Sequence, residues 1–151
     1  MTNAALKLCA ATAALMIALL LTPPRPAAAQ TAMTHPQPGS ALRKNLLDLL
    51  RPTVERSAHQ KVIFKVNTLN VQNGWAFVNV NAMQKNGAPL DFKKAGLESG
   101  ESDNGGAALF HKTAGGWRLV TSVFWVTDVE YEDWPAKYHA PAAIIGYGGA
   151  N

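Results

Sequence analysis

His111 and Asp128 fall on segments that read as neighbouring strands, and a histidine beside an aspartate can move protons in general acid–base chemistry. The register expected for those strands puts Asp128 opposite about Glu101, far along the ladder from His111. The plain reading of His111 is therefore a solvent-facing strand residue. Asp91 is a further acid that a pocket enzyme could use. Asp128, Glu130, Glu132 and Asp133 offer oxygen ligands to a hard cation, and in an extended chain the first three point the same way. No glycine-shaped loop accompanies them, so an acidic stripe protecting an edge or facing a partner is the default. Trp117, Trp125, Tyr131, Trp134 and Tyr138, with Trp75, are large enough to line the mouth of a concave apolar pocket, although core packing claims such side chains first. Trp134, Pro135 and Tyr138 lie outside the regular strands and are best placed for recognition. His35, His59 and His139 are scattered, with no pair at metal-ligand spacing on a helix, so neither a metal nor a cofactor is implied.

The front of the chain is of a different kind. Lys7 precedes an apolar run from Leu8 to Leu21, and Pro23, Pro24 and Pro26 are followed by Ala27, Ala28 and Ala29. A basic start, an apolar middle and a small-residue exit match a secretory signal peptide over residues 1–29, which implies a periplasmic or secreted protein with no stable membrane anchor after cleavage. Cys9, the single cysteine, lies inside that leader. The processed chain would then have no disulfide, thiol nucleophile or cysteine-bound zinc, and an apolar core must hold it together. Of 14 basic residues, Lys7 and Arg25 fall in the leader, leaving 12 against 10 acidic ones. A surplus this small argues against nucleic acid as a partner.

Charge is nevertheless uneven. Nine bases between Ser40 and Leu97 face only Asp48, Glu55 and Asp91; from Glu98 onward seven acids face Lys112, Arg118 and Lys137. Either the basic helix side lies near the acidic tail of the same chain, which is the safer expectation, or the two halves meet head to tail between partners.

Residues 30–39 are polar and broken by proline, a flexible lead-in. Ser40 is an N-cap for a helix in which Leu42, Leu46, Leu49, Leu50 and Val54 recur near 3.6-residue spacing. Pro52 falls inside that pattern and predicts a kink in preference to a break. Lys61–Val71 and Trp75–Met83 form a hairpin over Asn73-Gly74, the dipeptide suited to positive φ at both turn positions. Val62, Phe64 and Val66 have the opposite parity to Leu69 and Val71, so a bulge near Asn67-Thr68 is needed to bring all five to one face. Trp75 and Phe77 then occupy the other face. A second hairpin spans Gly105–Val129 over Thr113-Ala114-Gly115-Gly116, with Lys112 opposite Trp117, His111 opposite Arg118 and Leu109 opposite Val120. Because both parities of Trp117–Val129 carry apolar residues, burial on both sides in mid-sheet is expected. The connection from Lys85 to Asn104 is long, and Phe92, Ala95 and Leu97 can pin one edge of it.

Helix, hairpin, loop, hairpin makes residues 40–145 a single α+β domain: an N-terminal helix on a curved four-stranded antiparallel sheet, with residues 146–151 a fraying tail. RKNLLDLLRPTVE (Arg43–Glu55), VIFKVNTLNVQNGWAF (Val62–Phe77), GGWRLV (Gly115–Val120) and TDVEYEDWP (Thr127–Pro135) together resemble a family of small secreted bacterial proteins without assigned activity. The layout, over Ala41 to about Ile145, is similar to the cystatin-like and NTF2-like half-cones. The cystatin inhibitor hairpin motif of glutamine, an apolar pair and glycine is absent, Val71-Gln72-Asn73-Gly74 being a faint echo of it. The resemblance therefore implies a fold and carries no inhibitory or catalytic residue onto this chain. The expected function is a non-catalytic binding or interaction module for an envelope protein or a small apolar ligand. The alternatives are a half-cone enzyme using His111, Asp128 or Asp91, and an envelope hydrolase inhibitor or immunity-type protein acting through the Lys85–Asn104 loop.

Overall fold

The computed structural model describes residues 31–98 and 103–146, so the leader and the end of the expected tail lie outside the described residues. The elements run α1 (Ala41–Ala58), β1 (Val62–Gln72), β2 (Trp75–Gln84), α2 (Phe92–Ala95), β3 (Gly105–Thr113), β4 (Gly116–Phe124), α3 (Trp134–Tyr138) and a 3-10 turn (Ala142–Ile145). The four strands form one antiparallel sheet in the order β1-β2-β3-β4, an α+β arrangement.

Ser40 starts α1 by accepting a hydrogen bond from the Arg43 N–H, and His59 ends it in the left-handed region. Leu46, Leu50, Val54 and Ala58 are wholly buried at a four-residue interval, the stripe that a helix lays on a sheet. Pro52 is exposed and α1 runs through it unbroken, because the Asp48 carbonyl it deprives of a partner is on the solvent side.

The junction to β1 is electrostatic. Glu55 takes a hydrogen bond from Lys61 at 2.6 Å and another from the Val62 N–H at 3.3 Å, while Arg51 donates to the Val62 carbonyl. The Lys61 ammonium first, and the Val62 amide after it, hold the Glu55 carboxyl below the usual glutamate range, against an opposing effect of burial. A carboxylate whose pKa is lowered by folding contributes stability above its unfolded pKa and loses it as pH falls through the folded one. Glu55→Gln is therefore expected to melt below the wild type near neutral pH, with the two curves converging in the acid range below the usual glutamate pKa. Thermal melts across pH check it; a gap that stays constant down to acid pH would refute the assignment.

In the first hairpin Asn73 (φ 50°) and Gly74 (φ 76°) form the turn and Gln72 pairs with Trp75. The ladder slips at Asn67, between Val66 and Thr68. That bulge brings Val62, Phe64, Val66, Leu69 and Val71 onto the α1 face with Ala76, Val78 and Val80. Phe77 and Trp75 occupy the opposite face.

The second hairpin departs from expectation in three ways. Lys112 pairs with Trp117 and His111 with Arg118, but Leu109 meets Thr121, because Val120 bulges out of the ladder. Past the bulge Phe124 lies on the same face as Trp117 and Leu119. The apolar residues at both parities thus record a parity switch, and burial on both sides is not their cause. β4 also stops at Phe124, where Trp125 takes φ 69°, so Val126–Val129 are not strand. Third, β4 is an edge; β3 is interior, and Gly106 to Phe110 are all buried. Small residues at Gly106, Ala107 and Ala108 let cover approach both faces of β3.

The second face is covered by the C-terminal segment. Phe77, Ala107 and Leu109 pack under Tyr131, Trp134 and Ile144. Asn70, 1 % exposed, fastens that layer by donating to the carbonyls of Ile144 (2.8 Å) and Gly146 (2.9 Å), and its own oxygen lies 2.9 Å from Nδ1 of His35. The segment expected to be a flexible lead-in is likewise tied down. Thr34 and Val71 exchange two backbone hydrogen bonds of 2.9 Å, and Thr31 is bonded to Asn73 and Gln72. Covering the β1 edge satisfies backbone groups that would otherwise be unpaired.

With α1 on one face and the tail on the other, the expected contact between basic helix and acidic tail does not form. The ion pairs among the described residues, Lys44 with Asp48, Arg51 with Asp48 and Lys61 with Glu55, all lie within the basic half.

Candidate ligand cleft

Asparagine is disfavoured in strands, yet interior strand β2 carries Asn79 and Asn81 on the face that also bears Phe77. Below Phe77 the C-terminal cover gives way, and the two amides floor an open cleft. The Asn67 bulge supplies a third: its Nδ2 donates to Oδ1 of Asn79 at 2.9 Å and to Oδ1 of Asn81. Asn81 in turn donates to Oδ1 of Asn104 at 2.7 Å, and Asn104 is anchored to the backbone of Ala82 through both its carbonyl and its side chain. Asn79 donates to the Tyr131 hydroxyl at 3.4 Å. Four amides from β1, β2 and the entrance to β3 are thus chained into one rigid array.

The cleft has a volume of about 280 Å³. Its walls are Asp103 on one side and Val123, Val126 and Asp128 on the other, with Gly105, where a side chain would meet Asp103 and Asn81, leaving room between them. Asp103 uses Oδ1 to accept the Gly105 N–H at 3.3 Å, while Asp128 is exposed. Fixed amides beside two carboxylates and a valine rim suit a small ligand rich in hydroxyl, amide or ammonium donors.

The aromatic residues proposed from sequence do not share a site. Trp117 and Trp125 pack against the α1 core, with Nε1 of Trp125 bonded to Oγ of Ser57 at 2.7 Å. Tyr131, Trp134 and Tyr138 belong to the opposite face, where the Tyr131 ring lies 5.2 Å from Phe77 and 5.9 Å from Trp134. Of the five, Tyr131 alone reaches the cleft.

His111 and Asp128 are not brought together either. His111 packs on Trp75 with ring centroids 4.4 Å apart and pairs with Arg118 near the start of β4, whereas Asp128 follows the end of that strand. The six steps along the strand from Arg118 to Phe124 alone span about 20 Å. Asp91 is engaged as the cap of α2, accepting from the Lys94 N–H at 3.0 Å. The acidic run leaves the sheet through turns, and among the described residues no group of three or more His, Cys, Asp or Glu side chains is arranged to hold a metal ion. No described helix is long and apolar enough to cross a membrane.

Sequence reasoning missed Asn67, Asn79, Asn81 and Asn104. The signal was present in the Asn-Val-Asn of β2, polar residues against propensity on a face otherwise apolar. What Asn67 and Asn104 add depends on a bulge and on a loop folding back, and neither is a local property. Compared with known proteins, the chain matches no protein-family model, no curated protein and no solved structure.

Proposed function

We propose that this protein is an exported, non-catalytic binding module of cystatin-like or NTF2-like layout that holds a small polar ligand in the asparagine cleft. The observation that carries the reading is the amide array of Asn67, Asn79, Asn81 and Asn104, preorganised by its own hydrogen bonds and open on one side to a cavity of ligand size. A ligand meeting fixed amides loses less to side-chain ordering than one that must organise a site on arrival. The polar lining favours a sugar or the polar end of a peptide over the apolar ligand expected from the aromatic residues. The wide separation of His111 from Asp128 supports a binding role over the half-cone enzyme. The inhibitor reading rests on the Lys85–Asn104 loop, whose first part is pinned by the Met83–Pro89 bridge at the end of β2 and by Gln60, which bonds both the carbonyl and the N–H of Asp91.

Side-chain NH₂ resonances of Asn67, Asn79 and Asn81 report on the cleft directly. Titration with N-acetylglucosamine, glucose and a dipeptide amide is expected to shift these signals together for at least one ligand, and Asn79→Leu to abolish the shift. If every probe leaves them unmoved at millimolar concentration while the protein remains folded, the reading fails.

A further inference from the structure

The two edges of the sheet are treated differently. β1 is bridged on its outer side by Thr34 at Val71, whereas no described backbone group hydrogen-bonds to the outer side of β4. β4 is nine residues long and carries one charge, Arg118, and no proline; its only protective feature is the bulge at Val120. Nine residues of nearly uncharged free edge form a template for another strand.

Apolar surface continues beside it. Of the four large apolar side chains that are exposed among the described residues, Val120 lies on β4 and Leu49 lies on the α1 flank. Leu49 joins Leu42 and Trp117 around a hollow of about 550 Å³ between α1 and the β3–β4 turn.

Charge identifies the occupant. An antiparallel strand laid on β4 from a second copy runs in the opposite direction, so the start of one β4 stands beside the end of the other. Arg118 points to the face opposite Trp117 and Leu119, the face that also bears Val123 and Asp128. Side-by-side antiparallel pairing keeps like faces together, which sets Arg118 of one protomer near Val123 and Asp128 of its partner, twice by symmetry. The acidic run Asp128, Glu130, Glu132 and Asp133 finds no cation within its own chain among the described ion pairs, and the pairing gives it one.

We infer that β4 pairs antiparallel with β4 of a second copy, making an eight-stranded sheet whose seam is flanked by Arg118 and Asp128 from opposite protomers. The pairing removes both free edges at once; it shares Asp128 with the wall of the asparagine cleft, and its test reads association and not ligand binding.

Sedimentation equilibrium over a concentration series tests it. The wild type is expected to be a dimer whose dissociation constant rises with salt. Val120→Lys, at a side chain already 38 % exposed, is expected to weaken association at least about tenfold while leaving the melting temperature of the protomer unchanged. Arg118→Glu is expected to weaken it as well, and Arg118→Glu combined with Asp128→Lys to restore it, a rescue that a general charge effect does not produce. A protein that stays monomeric at every concentration overturns the inference. So does a dimer indifferent to Val120→Lys, or a monomer whose β4 amides shift only when an unrelated extended peptide is added.

Discussion

Trp134→Ala is expected to lower the unfolding free energy by about 3–5 kcal/mol, the cost of emptying a buried aromatic site in a core. Trp134 is 5 % exposed and packs edge-on against Tyr131, which lies on Phe77. Without the indole, Phe77, Ala107 and Leu109 lose the roof that separates the second face of the sheet from water. A domain of this size has about 5–15 kcal/mol in total, so urea denaturation should show a large fall in midpoint. Truncating the half-exposed Tyr138 should cost clearly less. If Trp134→Ala and Tyr138→Ala are equally mild, the C-terminal segment is decoration on a sheet that stands without it.

Gly106→Ala tests the other face. A Cβ at this position would lie 2.1 Å from Cδ1, 2.4 Å from Cε1 and 2.5 Å from Cγ of Phe124. The ring cannot simply swing aside, since it is part of the α1-face core and has the Trp125 indole 5.5 Å away. Overpacking of this kind costs about 1–3 kcal/mol, even though alanine is otherwise the better strand residue. Phe124→Ala is destabilising by itself but removes the clash, so the double variant should be markedly more stable than the sum of the single losses predicts. Chemical denaturation of the four proteins closes the cycle. Strict additivity would mean that the ring does not lie on Gly106.

Legibility tracked the range of the interaction. Asn73-Gly74 announced its turn because two adjacent residues must take positive φ, and the parity change between Val66 and Leu69 announced its bulge because one face of β1 is uniformly apolar. The same parity change in β4 was obscured. Arg118 and Ser122 interrupt the pattern, and Val120 is apolar yet exposed. Apolar residues on both parities then look the same whether a strand is buried twice or shifted once. The asparagine cleft was half visible, in Asn79 and Asn81.

What the chain's own order of residues determined was local: the Ser40 cap, the leucine stripe of α1, both turns, and hence an α+β domain with two hairpins, since each follows from backbone preference and side-chain period over a few neighbours. Tertiary structure alone decided which strand is interior, that Trp134 and Ile144 roof the face α1 leaves bare, and that the acidic tail lies across the sheet from the basic helix. Those outcomes depend on which apolar surfaces remain uncovered after the first contacts have formed, a quantity that no single segment carries.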